Sequence, residues 1–346
     1  MFTKVFVWNV VIIFVVTFLL LEGSFRLYHH ISPVFIFPDN SHNRFRNKPF
    51  DYDYDDFRLN SRGFKDIEPQ ATKPLGSIRI AGIGDSFVYG VVPYKDNFLT
   101  VLEEQLNSVK SERYEVLNMG IPWTSPREYY SMLVKEALPL KPDIALICIF
   151  VGNDFIEISR KASHKSFVIA AGKYLLDSFR HVEAGNASRP QTQNHYDDDA
   201  TTFSDAYFLE IEAGRTDIYM KSDKMLSERL PRVMAWIDEI KAVCERNGIQ
   251  LFVTLIPDEL QLDTELQQRV LQKIGSDRDK LDFDLPNKRL GAELRARNIR
   301  YLDFLEPFRL KSRDIRLYKP RDTHWNIAGN RLAAELLLQF FQKEWN

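Results

Sequence analysis

From Ile78 onward the chain alternates short apolar runs with longer amphipathic ones, and this rhythm constrains the fold more than any other feature. Strands covered on both faces read as nearly continuous Val, Ile, Leu and Phe. Five runs fit that description: Ile78 to Ile83, Tyr114 to Met119, Ile144 to Val151, Gln250 to Ile256 and Arg300 to Phe304. Between and after them Phe98 to Leu106, Arg127 to Ala137, Leu226 to Cys244, Lys288 to Arg297 and Ala328 to Phe341 repeat apolar residues every three or four positions, as helices packed on one side do. The pattern predicts an α/β layered domain with a five-stranded parallel sheet.

The N-terminus obeys a different rule. Val5 to Leu21 is a 17-residue run interrupted only by Asn9 and Thr17, at the short limit for crossing a bilayer. A cleaved signal peptide is the competing reading, but a small-x-small cleavage pattern is missing and the run continues into Glu22 and Gly23. Residues 1–25 are therefore expected to be an uncleaved membrane anchor, with orientation undecided by Lys4, Arg26 and Arg44. Residues 26–75, polar and with little periodicity, read as an extended stalk or linker with ordered patches. The domain proper is expected over 76–346.

One connection is too long for a βα loop, so an insertion is expected at about 155–226. Within it Phe167 to Phe179 has the pattern of a short helix, while Asp197, Asp198 and Asp199 read as solvated loop. Asn186, Ala187 and Ser188 form a glycosylation sequon of the kind that arises by chance.

Charge and cysteine usage remove several functions. Lys plus Arg number 46 against 48 for Asp plus Glu, which gives no global pull toward nucleic acid. The two cysteines, Cys148 and Cys244, cannot build a disulfide framework or a Cys-rich metal site and are expected to be free, buried thiols. No metal or cofactor is expected.

The sharpest local signal is Gly82-Ile83-Gly84-Asp85-Ser86-Phe87-Val88-Tyr89-Gly90, at the end of the first expected strand. A dinucleotide fingerprint needs glycine where Phe87 stands, a phosphate loop needs Gly-Lys-Ser/Thr, and a nucleophile elbow needs glycine where Val88 stands. What remains is a serine on a strand-to-helix turn, where backbone N–H groups can face a developing oxyanion. Ser86 is the candidate nucleophile, and its alternative role is the cap of the following helix.

A serine needs a base, and the base needs an orienting group. Asp322 and His324 sit two apart directly before the last amphipathic run, so the carboxylate can hold one ring nitrogen and leave the other for the serine proton. Asn326 is the natural cap of the last helix. Gly120 and Asn153 end the second and third strands and are candidate oxyanion donors, the first by its backbone N–H and the second by its side-chain amide, alongside the N–H of Ser86. Each is also an ordinary turn residue. Tyr89, Trp123 and Trp325 adjoin these blocks and either stack on sugar rings or belong to the core.

Taken in order, Gly84-Asp85-Ser86, Gly120, Asn153-Asp154 and Asp322 with His324 resemble the four blocks of the SGNH (GDSL-type) hydrolase superfamily over about residues 76 to 342. The resemblance implies a three-layer flavodoxin-like sandwich, Ser86 as nucleophile, His324 as base, Asp322 as orienter, and Ser86, Gly120 and Asn153 as the oxyanion hole. Two departures stand out. Val151 replaces the glycine two before the asparagine, and the last block spaces Asp and His by two instead of three, as in the alginate O-acetyltransferase-like branch. Leu59 to Phe64 and the anchor are similar to bacterial membrane-tethered members linked to envelope polysaccharides.

The implied partners are an acylated carbohydrate or other small ester and, through the N-terminal helix, a membrane, with the catalytic domain outside the cytoplasm. Hydrolysis, acyl transfer and a non-catalytic carbohydrate-binding scaffold are the competing functions.

Overall fold

A computed structural model describes residues 2–31, 42–53, 55–110, 112–157, 166–183, 195–222 and 224–345. The sequon at Asn186 and residues 158–165 and 184–194 of the expected insertion lie outside them. The chain divides into two compact units, residues 1–45 with 160–186, and residues 46–159 with 187–346.

The first unit is built on the helix Phe2–Ile31. Its Phe6–Ile31 portion has a mean hydropathy of 2.3 over its most apolar window, apolar enough to cross a membrane or to serve as a signal sequence. Glu22 lies near the end of this apolar stretch and collects the start of a second helix, Phe167–Glu183. Its carboxylate accepts from Ser166 Oγ at 2.8 Å and from the Val168 N–H at 3.0 Å. A carboxylate there satisfies donors that a helix start leaves open and complements its dipole. Arg26 Nε donates to the same carboxylate at 2.8 Å, and its guanidinium lies over Phe167.

The second unit is the α/β domain. Its strands are β1 (Ser77–Gly84), β2 (Arg113–Gly120), β3 (Ile144–Phe150), β4 (Gln250–Ile256) and β5 (Arg300–Asp303), all parallel, in the order β2-β1-β3-β4-β5. This is the flavodoxin-like order, which reverses direction between β1 and β3 and opens a crevice at their carboxyl ends. Each expected strand is present within about a residue of its expected limits, because burial on both faces selects the apolar runs directly.

Helices cover both sides. Phe98–Val109 and Ile327–Glu344 pack together, with Leu102, Leu106, Ala333, Leu337 and Phe341 buried in one cluster with Ile80, Val116, Leu146 and Phe252. Helices Pro126–Met132 and Lys224–Arg246 form a second contacting pair. Cys148 and Cys244 are free and buried.

Residues 46–75, expected as extended linker, instead pack into this unit. Leu59 and Phe64 are buried. Lys65 is wholly buried, paired with Asp53 at 2.7 Å, and donates to the carbonyls of Gly90 at 3.1 Å and Val92 at 2.8 Å. Burial pushes the Lys65 amine down and Asp53 opposes it, so a lysine in this place survives only because its donors all find acceptors. Polarity and lack of period hid the packing, since what is buried here is mainly a set of satisfied polar groups.

Next to it, Asp66 accepts from the Asn118 N–H at 2.8 Å and from Tyr94 Oη at 3.1 Å. Burial nevertheless pushes its carboxyl up to about 7. A folded-state value above the unfolded one stabilises fully below pH about 4, and that contribution fades as pH rises toward 7, by about 4 kcal/mol at most. Denaturant titrations of wild type and Asp66→Asn from pH 4 to pH 8 should therefore show the stability gap shift steadily in the variant's favour up to about pH 7. A gap independent of pH would mean that Asp66 does not hold its proton in the native state.

Candidate active site

At the β1/β3 switch point the loop after β1, the loop after β2 and the loop 317–326 converge beside the turn that follows β3. After β1, Asp85 Oδ1 accepts from the Phe87 N–H at 2.9 Å and so caps the short helix Ser86–Tyr89 itself. That relieves Ser86 of the capping role, the alternative open to it on sequence alone. Gly84 is required at the bend, because a Cβ there would run into Val88 and the Cys148 carbonyl.

The third loop descends from residues 317–326. Tyr318 and Trp325 bridge antiparallel, Lys319 N donates to His324 O at 3.0 Å, and Asn326 N to Leu317 O at 3.0 Å. Asn326 caps the last helix through the Gly329 N–H at 2.9 Å. Trp325 is a core residue: its ring contacts Phe87, Phe98, Phe304 and Phe308 and is 1% exposed. The loop is thus pinned from below while its neighbour His324 projects upward.

The geometry closes across 238 residues: Ser86 Oγ lies 2.8 Å from His324 Nε2. On the far side of the ring, Nδ1 is 2.7 Å from Asp322 Oδ1, which also accepts from the His324 N–H at 3.1 Å. A carboxylate on Nδ1 selects the tautomer that leaves a lone pair on Nε2. Burial alone would raise the Asp322 carboxyl, but hydrogen bonds from His324 and Thr202 and the charges of His324 and Lys319 outweigh it and hold it below the usual carboxylate range.

The oxyanion donors fare differently. Asn153 is half-buried beside Asp85, and Asp154 braces its turn by accepting from the Phe150 N–H at 2.9 Å and from Tyr129 Oη at 2.9 Å. Gly120 does lie opposite Gly84 in the sheet, but its N–H is donated to Asn118 Oδ1 at 2.9 Å. Glycine is also needed there for its missing side chain, since a Cβ would collide with the backbone of Val88 and Tyr89. Asn118 Nδ2 also donates to Val88 O at 2.8 Å and so ties the second loop to the nucleophile turn.

Sequence reasoning missed the segment 195–204. Thr202 Oγ1 donates to Asp322 Oδ2, the oxygen that His324 does not use. Thr202 N and Phe203 N donate to the carbonyls of Pro320 and Arg321, and Lys319 Nζ reaches back to the carbonyls of Asp197 and Ala200. Asp198 Oδ1 accepts from the Ile327 N–H at 3.0 Å, and Asp199 pairs with Arg316. The run of three aspartates, exposed at Asp197 and Asp199, thus also fastens the loop that carries His324, Asp197 by its carbonyl and the other two by their carboxylates. Their only sequence signal was a pairing with Arg316 and Lys319, more than a hundred residues away, which spacing cannot show.

Residues 216–345 match the family described as SGNH hydrolase-like domain, acetyltransferase AlgX. Over that stretch the domain is similar to an SGNH hydrolase-like domain. The matched stretch contains Asp322 and His324 and leaves Ser86 outside it, so the two halves of the SGNH-like site meet only in the fold.

Solved structures similar to the chain include an acetyl xylan esterase, AlAXEase, at 15% identity, covering 76% of this chain and 99% of that one with a TM-score of 0.43. A G-D-S-L lipolytic protein from Veillonella parvula DSM 2008 has 14% identity, coverage of 77% and 99%, and a TM-score of 0.43. A lipase/acylhydrolase from Enterococcus faecalis has 13% identity, coverage of 77% and 96%, and a TM-score of 0.41. No curated protein matches the chain.

Thr202 generates a prediction with two readouts. Removing a hydrogen bond to a charged group costs about 1.5–3 kcal/mol, so Thr202→Val should lower kcat about tenfold. A depressed carboxyl stabilises above its unfolded pKa and loses that contribution as pH falls through the lower folded value. The variant should therefore be destabilised more at pH 7 than at pH 3 in denaturant titrations. Equal destabilisation at both, with kcat intact, would remove Thr202 from the site.

Proposed function

We propose that the chain is a serine-dependent esterase for O-acyl esters, principally O-acetyl esters of cell-envelope carbohydrate, working through an acyl-enzyme on Ser86. The observation that carries this reading is the 2.8 Å contact between Ser86 Oγ and His324 Nε2, continued at 2.7 Å to Asp322. His324 Nε2 takes the hydroxyl proton as Oγ attacks the carbonyl carbon. The oxyanion faces the Ser86 N–H and the Asn153 side-chain amide. The imidazolium then returns its proton to the departing sugar oxygen, and Asp322 offsets the charge that the ring carries between the two transfers.

Water activated by the same nitrogen releases the acyl group as the acid. An acceptor hydroxyl in place of water yields a new ester, and acetyl transfer between carbohydrates is the second reading, favoured by the description of the family matched over 216–345. The N-terminal helix, apolar enough to span a bilayer, supports a tethered enzyme, and a substrate in the cell envelope would put its catalytic domain outside the cytoplasm.

Two measurements test the proposal. A fluorophosphonate should label the wild type and not Ser86→Ala, while Asn153→Ala should lower turnover by about two to three orders of magnitude. An unlabelled wild type would favour the non-catalytic scaffold instead. Feeding an acetyl ester with and without an oligosaccharide acceptor, then weighing the products, separates the outcomes: acetylated acceptor means transfer, and acetate alone means hydrolysis.

A further inference from the structure

Of the three aromatic residues that adjoin the reacting blocks, one is at odds with ordinary packing. Trp325 is core, and Tyr89 is half-buried with Lys65 over its ring. Trp123 is 66% exposed and sits at φ +67°, the left-handed region that a bulky residue rarely enters. Its neighbours are not loose: Ile121, Thr124 and Ser125 are all buried. Ile121 N donates to Gly84 O at 3.1 Å, and Thr124 Oγ1 donates to Ile121 O at 2.6 Å and reaches Gly84 O at 3.3 Å. Gly84 stands two residues before Ser86, and Gly120 packs against the Ser86–Tyr89 turn. The turn at Pro122–Trp123 is therefore clamped to the same strand end that presents the nucleophile, and it holds one indole out in water.

Both properties are unfavourable in the free protein. Glycine at 123 would adopt the same backbone without strain and without exposing a large apolar ring. An aromatic face fixed on a rigid turn at the rim of a site suits a flat apolar surface carrying slightly positive hydrogens, because the ring face is electron-rich. The C–H face of a pyranose ring is such a surface, and its hydroxyls remain free to meet polar groups or water.

We infer that Trp123 is the platform on which a sugar ring of the acylated carbohydrate stacks beside Ser86. This deepens the proposed function and rests on it for the carbohydrate, while the binding itself does not require turnover. A backbone already clamped in the bound geometry leaves only the indole's own two torsions to be ordered by the ligand, and tryptophan is among the residue types that most often dominate such contacts.

The test compares wild type, Trp123→Ala, Trp123→Phe and Trp123→Gly on an acetylated xylo-oligosaccharide and on p-nitrophenyl acetate, which has no sugar. The ratio of kcat/KM on the oligosaccharide to that on the small ester should fall at least tenfold in the Ala and Gly variants, through KM, and recover largely in Phe. The Gly variant should also melt at a higher temperature than Ala. An unchanged ratio, or an equal loss on both esters, would overturn the platform.

Binding to the Ser86→Ala chain keeps the result separate from catalysis. Gluco-, xylo-, manno- and uronic oligosaccharides are titrated with and without Trp123→Ala, by ligand-observed NMR. Binding that disappears with the indole sustains the inference even if no ester is cleaved. Absence of binding by every oligosaccharide, or loss only of vesicle association or of self-association in the variant, overturns it.

Discussion

A hydrogen bond between two side chains 238 residues apart imposes a severe condition: both loops must be immobile to within a fraction of an ångström. The fold meets it differently on the two sides. Ser86 is fixed by covalent proximity to β1 and by the Asx cap of Asp85, a local device that a few residues encode. His324 sits on an irregular loop and borrows its rigidity. Trp325 anchors the loop in the aromatic core below, Asn326 joins it to the last helix, and residues 197–203 brace it from the side. Losing the core contacts of a buried tryptophan costs about 3–5 kcal/mol, so the imidazole's position is bought with packing that never touches substrate.

The polar interior serves the same end. Lys65 and Asp66 come from a segment with no regular strand or helix among its described residues, yet each reaches the surroundings of Ser86, Lys65 through the carbonyls of Gly90 and Val92 and Asp66 through Asn118. Buried charges of this kind add little net stability but penalise any other arrangement steeply, because a lysine with one acceptor fewer is an uncompensated charge. Residues 46–75 therefore act as a support for the Ser86 turn.

How much of this was legible follows from the range of each interaction. The five strands and their flanking helices were visible because burial on both faces writes itself into every residue of a run. Ser86, Asp322 and His324 were visible because the turn chemistry and the two-residue spacing are local. Thr202, Lys65 and the aspartates 197–199 were not, since their meaning lies in partners far along the chain and their composition is that of ordinary loop. The type of Gly120 marks a close approach at the strand end, whereas the partner of its N–H depends on the rotamer of Asn118, and sequence does not carry rotamers. Trp123 was noticed for its ring, and only the backbone angle reveals that the ring is held outward under strain.

The brace formed by residues 195–204 has a consequence for how the enzyme comes into being. Asp322 receives its last hydrogen bond from a threonine 120 residues upstream, and the helix that follows His324 has its first N–H received by Asp198. The two stretches are useless to each other until both have been synthesised, and Ser86 leaves the ribosome 238 residues before the imidazole it meets in the fold.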